Sequence, residues 1–176
     1  MNIIYKLFEE FGKFGPFFLI FLSMYLLWNK NNLFFFYTIG LFIDAILNIV
    51  LKGIIQQPRP NVDQKTFNLA LTHGRRFLFK DGIPYDIFGM PSGHSQSSLF
   101  STTFIYLALK NTRLSFMYLL SSLIIMAQRV EFNQHTILQC IIGAIIGAIF
   151  SYIMFYLSGQ KIKGIITEKR DDFGPI

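Results

Sequence analysis

The stretch LFFFYTIGLFIDAILNIVLKGIIQQPRP, residues 33–60, joins an apolar run from Leu33 to Leu51 to two cations, Lys52 and Arg59. The run is 19 residues long, within the roughly 17 to 25 residues that cross a bilayer as a helix. Pro58 and Pro60 bracket Arg59, so they end the helix and restrict the backbone around the guanidinium. The segment predicts a membrane helix with a positively charged end. Taken alone, a Lys and an Arg there are snorkelling anchors or partners of the helix dipole. A compact ammonium and a planar guanidinium can also hold different oxygens of one phosphate. The rest of the chain has to decide between these readings.

Composition extends the membrane reading to the whole chain. Of 176 residues, 52% are hydrophobic, 17% aromatic and only 15% charged, and mean hydropathy is +0.44. That is too little polar surface for a soluble globule and too much apolar sequence for a disordered chain. The formal charge of +6 comes from Lys and Arg scattered through short connections, not from a stripe or tail that would grip nucleic acid. Anionic lipid is the better partner. The lone Cys140 lies in an apolar run, which excludes an internal disulfide and reads as a small buried hydrophobe.

Five spans are expected: Phe14 to Trp28, Leu33 to Leu51, His94 to Leu109, Leu114 to Met126, and Thr136 to Leu157. The predicted fold is all-α, a polytopic membrane bundle of five to six helices. It forms one domain over 1–176, with a catalytic half at 52–157. The first run lacks an Ala-x-Ala cleavage signal and reads as a retained anchor. The shorter spans are expected to extend into flanking polar residues. In the last span, Gly143-x3-Gly147 interleaves with Ala144-x3-Ala148, a small-residue ridge for close helix packing.

Five crossings put the 52–93 and 127–135 connections on one side of the membrane, so Lys52, Arg59, Ser92, His94, Arg129 and His135 share a face. Ser92 follows Pro91 and precedes an apolar run, which fits an N-cap, and Gly93 leaves room for an anion near backbone N–H groups. His94, in the first turn, suits a general acid near neutrality; a Ser-Gly-His alone is more often just a cap beside an exposed imidazole. Arg129 and His135 add a third cation and a second imidazole. Phosphoryl transfer needs mostly positioning and charge neutralisation, and a neutral histidine can attack phosphorus, which makes His135 the candidate nucleophile. Gln139, one turn on, can accept a hydrogen bond from the imidazole N–H that points away from phosphorus.

The ordered set Lys-x6-Arg-Pro, Pro-Ser-Gly-His and Arg-x5-His, over residues 52–135, resembles the type 2 phosphatidic acid phosphatase and haloperoxidase superfamily. That resemblance implies about six membrane helices and hydrolysis of lipid phosphates without metal or cofactor. It makes His135 the nucleophile, His94 the acid, and Lys52, Arg59, Ser92, Gly93 and Arg129 the phosphate ligands. Gln139 departs from the Asp usual in the superfamily, and Gln128 from a common Ser. Ile55-Gln56, Gly89-Met90, His135-Thr136 and Gln139 leading into Gly143 are similar to the dolichyl diphosphate phosphatase branch. The substrate expected is therefore a polyprenyl diphosphate, with phosphatidate or a related lipid phosphate as alternative. A non-catalytic lipid-phosphate binder is the alternative from another class, although binding alone would not require both histidines. A soluble haloperoxidase fits the apolar spans poorly.

Apart from the site cations, Lys6, Lys13, Lys65, Arg75, Arg76 and Lys80 stand on the motif side, six residues against seven opposite: Lys30, Lys110, Arg113, Lys161, Lys163, Lys169 and Arg170. The positive-inside rule then leans toward a lumenal or exoplasmic site. Asp44, Asn48 and Lys52 share one helical stripe, with Asp44 expected to face the bundle and support Lys52. His73, Arg75 and Arg76 read as interfacial lipid contacts or solvated loop charges. Asp171-Asp172 reads as a mobile tail, and no residue set has metal-ligand spacing.

Overall fold

A computed structural model describes residues 3–80 and 82–160 of the chain. Lys161, Lys163, Lys169, Arg170 and the Asp171-Asp172 pair lie outside the described residues. The elements are α1 (Ile3–Leu27), α2 (Asn31–Ile55), α3 (Gln64–Thr72), β1 (Phe77–Lys80), β2 (Ile83–Asp86), α4 (Gly93–Leu109), α5 (Thr112–Glu131) and α6 (Ile137–Ser158). Five long helices make an all-α membrane bundle, and one two-stranded antiparallel hairpin is attached to it.

Four helices, α1, α2, α5 and α6, are long and apolar enough to cross a membrane. The fifth, α4, has 17 residues and a rise of about 26 Å at 1.5 Å per residue, slightly short of a bilayer core. It is the hub of the bundle: α6 packs along it most extensively, followed by α5, α1 and α2. Enclosure by other helices explains how a segment rich in Ser and Thr sits at this depth. Its polar side chains meet protein instead of lipid, as intramembrane polar groups must. Tyr37 Oη bonds Ser101 at 2.8 Å and Thr102 bonds Ser122 at 2.8 Å, while between α1 and α5 Ser23 bonds Tyr118 at 3.0 Å. Around these hydroxyls lies a core of Leu19, Leu27, Tyr37, Phe100, Phe104, Ile105, Tyr118, Ile125 and Met154.

The outer faces invert the soluble pattern. Phe21, Phe42 and Phe116 are 65–67% exposed, which is stable only where the surroundings are as apolar as the side chains. The small-residue ridge of α6 faces α4: a Cβ on Gly143 would strike the backbone of Ser92, and one on Gly147 the backbone of Gln96. Glycine is required at both positions because backbone, which cannot rotate aside, occupies the space.

Three helices run further than their apolar cores predicted, α2 among them, from Asn31 to Ile55 instead of Leu33 to Leu51. Helix α1 begins at Ile3, well before Phe14, and α5 reaches Thr112 and Glu131, so its polar ends supply the length its core lacks. The 52–93 connection is more ordered than a polar stretch punctuated by prolines implies. Asp63 caps α3 through Thr66 N–H, and Val62, Phe67, Ala70, Ile87 and Phe88 form a second small core beneath the hairpin. An isolated bridge between Pro58 and Phe88 ties the start of the connection to its end. Elements of nine and four residues carry too little periodicity to stand out in the sequence.

Candidate active site

The end of α2, the starts of α4 and α6, and the end of α5 meet at one end of the bundle, against the 56–92 connection. Local chain geometry fixes one wall. The carbonyl of Arg129 accepts the N–H groups of Gln134 at 2.9 Å and His135 at 3.1 Å. Asn133 takes a left-handed φ of 52°, a conformation Asn tolerates better than most residues. The tight turn holds Arg129 beside His135. Thr136 then caps α6 in a capping box with Gln139, which satisfies two N–H groups at the helix start.

Hydrogen bonds determine which nitrogen of His135 carries the proton. Nδ1 lies 2.8 Å from the Gly89 carbonyl and 3.2 Å from Gln139 Oε1. Nε2 lies 3.5 Å from Arg59 Nη1. A guanidinium only donates and a carbonyl only accepts, so Nδ1 holds the proton and Nε2 presents its lone pair. Burial pushes the His135 pKa well below its ordinary value, to about 2, and the charges of Arg59, Lys52 and Arg129 push the same way. The ring is therefore neutral throughout the physiological range. A neutral imidazole with its Nε2 lone pair toward a group of cations is the form that can attack phosphorus.

The opposite wall comes from the connection. Lys52, in the last turn of α2, donates to the Phe88 carbonyl at 2.9 Å and to Asp86 Oδ2 at 3.3 Å. Gln56 ends the helix with a left-handed φ of 48°, and the chain turns so that Arg59 comes back toward the same acid. Arg59 Nε donates to the Asp86 carbonyl at 2.6 Å, and Nη1 reaches Gln134 Oε1 at 3.5 Å. Arg76 grips the Asp86 carboxylate in bidentate fashion at 3.2 and 2.9 Å and lies over the Phe88 ring. Burial alone would push the Asp86 carboxyl up. Hydrogen bonds from Arg76 and the charge of Lys52 outweigh it and hold the group below its ordinary value.

Arg129 has no such partner. It is 8% exposed, its Nη1 makes one long bond to Gln128 Oε1 at 3.4 Å, and its Nε has no hydrogen-bond partner. Among the described residues no carboxylate lies within salt-bridge distance of Arg129 or Arg59, whereas Lys52 and Arg76 share Asp86. A buried guanidinium without a counter-charge is costly in isolation, and an anion in the pocket would relieve that cost.

At the start of α4, Ser92 is fully buried, and its Oγ accepts from Ser95 N–H at 3.5 Å and Ser95 Oγ at 3.1 Å. Its own N–H donates to the Gln139 carbonyl at 3.0 Å, joining α4 to α6. Gly93 faces Asn48, where a Cβ would meet Oδ1 at 3.2 Å. His94 is half-buried, and burial first, then the charges of Arg129, Arg59 and Lys52, disfavours its protonated form. The same three cations act on His135. The structure gathers Lys52, Arg59, Arg129, His135 and Gln139 at one end of the bundle, with His94 in the field of the same cations, and sets Ser92 and Gly93 at the start of α4, where the Ser92 N–H meets the Gln139 carbonyl.

Several participants were not visible in the sequence. Asp86 is the counter-ion of the connection, Gly89 supplies a carbonyl to His135, and Gln57 accepts from Gln139 Nε2 at 2.9 Å. Asp44 is buried as expected, but it bonds Gln96 Nε2 at 2.8 Å and does not support Lys52. Asn48 bridges Gln96 and the Pro91 carbonyl. Arg76, expected as a solvated loop charge, is instead an ion-pair partner of Asp86. The only sequence signal for Asp86 is an acid within a short apolar alternation close to Pro91.

Among the families of known proteins, the model described as the PAP2 superfamily matches residues 33–163. No curated protein and no solved structure matches the chain. With well over half of its 176 residues matched, the chain belongs to the PAP2 superfamily, whose members are phosphatases.

Proposed function

We propose that the protein is an integral-membrane lipid phosphatase that hydrolyses a polyprenyl diphosphate to the monophosphate through a phosphohistidine at His135. The observation that carries this reading is the neutral His135, its Nε2 lone pair facing Arg59, beside a buried Arg129 whose Nε lacks a partner. Nε2 attacks the terminal phosphorus, an N–P bond forms, and the bridging P–O bond breaks. His94, whose protonated form gains a counter-charge when the anionic headgroup enters, delivers a proton to the departing oxygen. Water then attacks the phosphohistidine, His94 takes a proton from it, and the N–P bond breaks to release inorganic phosphate and restore His135. Lys52, Arg59 and Arg129, together with the N–H groups at the start of α4, neutralise the phosphoryl oxygens. These cations supply charge that a metal ion provides in other phosphatases.

The diphosphate preference rests on the local sequence around Gln56, Met90, Thr136 and Gln139. The apolar outer surface supports a substrate whose chain stays in the bilayer while its headgroup enters the site. The whole chain acts as one domain, with the site on the lumenal or exoplasmic side.

The test is phosphate release by purified protein in detergent, with chelator present, from dolichyl or undecaprenyl diphosphate and from phosphatidate. The diphosphate is expected to turn over faster, and His135→Ala to lower kcat at least about 10³-fold, as loss of a nucleophile does. Faster turnover of phosphatidate would reassign the substrate to a glycerolipid phosphate. Undiminished turnover in His135→Ala would remove the mechanism, and headgroup binding with no turnover of any substrate would make the protein a lipid-phosphate binder.

A further inference from the structure

We propose that Gln57 is a positioning residue, forming with Gln139 a neutral amide pair that does the orienting work of the carboxylate usual at position 139. The inference rests on His135 being the nucleophile.

Gln139 is 1% exposed and uses both ends of its amide. Oε1 accepts from Thr136 N–H at 3.2 Å and from His135 Nδ1 at 3.2 Å. Nε2 donates to Gln57 Oε1 at 2.9 Å and to the Pro58 carbonyl at 3.0 Å. Rotating the amide by 180° would set its NH₂ against two donors and its oxygen against two acceptors, so the network admits one orientation. A carboxylate could accept from Thr136 and His135 but could donate to neither Gln57 nor Pro58. Two part-buried acceptors would then face a charge of their own sign.

Gln57 also bears on the second acceptor of His135. Its carbonyl takes the Gly89 N–H at 2.7 Å, and the Gly89 carbonyl takes the His135 Nδ1 proton at 2.8 Å. A Cβ on Gly89 would lie 2.6 Å from the Gln139 side chain, so the absence of a side chain there lets the amide sit against the loop. Both groups that hold the imidazole in its reactive tautomer are therefore anchored on one residue, one through its backbone and the other through its side chain. The charged groups acting on the ring, Arg59, Lys52 and Arg129, are all cations. The polar support behind Nδ1 thus comes from neutral acceptors alone.

The test is a series at position 57 that separates acceptor from donor at similar size, read as kcat and KM on the diphosphate substrate, with thermal unfolding as a control. Gln57→Glu still accepts from Gln139 and should keep kcat within about threefold of wild type, while Gln57→Leu should lower it about tenfold with little change in KM. Gln57→Lys presents only donors, which favours the reversed amide, and should fall at least as far as Gln57→Leu. Gln139→Glu should lower kcat as well. Equal kcat for Gln57→Glu and Gln57→Lys, or a Gln139→Glu enzyme faster than wild type, would overturn the proposal. If Gln57→Leu fails to fold, the Glu and Lys pair still decides. His135→Ala assayed alongside separates the two levels. Its inactivity with a flat Gln57 series removes only the positioning role, whereas its full activity removes the nucleophile itself.

Discussion

The two walls of the site handle positive charge in opposite ways. On the wall built by the 52–89 segment, Lys52 and Arg76 share the Asp86 carboxylate, and Arg59 is held by the Asp86 carbonyl. On the wall built by the α5–α6 turn, Arg129 is buried and, among the described residues, has no carboxylate partner and no hydrogen-bond partner at Nε. On the first wall a single carboxylate offsets part of the charge of three cations and ties the connection together. The second leaves its charge to whatever anion enters. Asp86 thus braces cations on the first wall and none on the second, and the two walls should respond differently to substitution.

The largest effect is expected on the second wall. Arg129→Ala should lower kcat/KM about 10³-fold, the size seen when one preorganised transition-state contact is removed. The thermal midpoint should hold or rise, because a buried unpaired charge disappears. A clear fall in stability would show that Arg129 is structural.

Asp86→Asn should reverse the pattern. Lys52 and Arg76 lose their shared anion, and stability should drop by about 1–3 kcal/mol, as for a buried hydrogen bond to a charged group. Activity should suffer mainly through KM. Acidification should mimic the substitution: the folded-state pKa of Asp86 is depressed, so its contribution is present above the unfolded value of about 3.9 and is lost as pH falls through the lower folded value. Unfolding curves of wild type and Asp86→Asn recorded from neutral to acidic pH should converge. Parallel curves would contradict the role given to Asp86.

The last change tests the joint between α4 and α6. Gly147→Ala drives a methyl group into the Gln96 backbone and should cost about 1–3 kcal/mol through overpacking. Moving α4 from α6 also separates His94 and Ser92 from His135, so kcat should decline with stability. Stability loss at constant kcat would show that the site tolerates movement of the two helices.

Much of this arrangement was legible in the sequence because it rests on local rules. Ser92 is a cap because a hydroxyl after proline and before an apolar run can be little else, and Gly143 and Gly147 recur at the spacing of one helical face. Convergence of Lys52, His94 and Arg129 followed from counting crossings, since each lies at a helix end. What could not be read depends on folded pairing or on atoms without side-chain identity. The Gly89 carbonyl is invisible in any residue code. Gln57 meets Gln139 only after the chain has crossed the bundle and returned, and Arg76 meets Asp86 only through the hairpin. Asp44 follows the same logic: its burial was predictable from the stripe it shares with Asn48 and Lys52, but its partner, Gln96, sits on another helix.

The central claim is that a neutral His135, backed by Gly89 and Gln139, takes the phosphoryl group. Its most direct test is quenching of turnover in alkaline detergent with substrate labelled on the terminal phosphate, followed by peptide mapping of the labelled chain at alkaline pH. The account predicts an acid-labile, alkali-stable phosphohistidine at His135, absent from His135→Ala and accumulating in His94→Ala supplied with a substrate whose leaving group needs no proton. Full turnover with no labelled protein at any quench time, or label on a different residue, would contradict it.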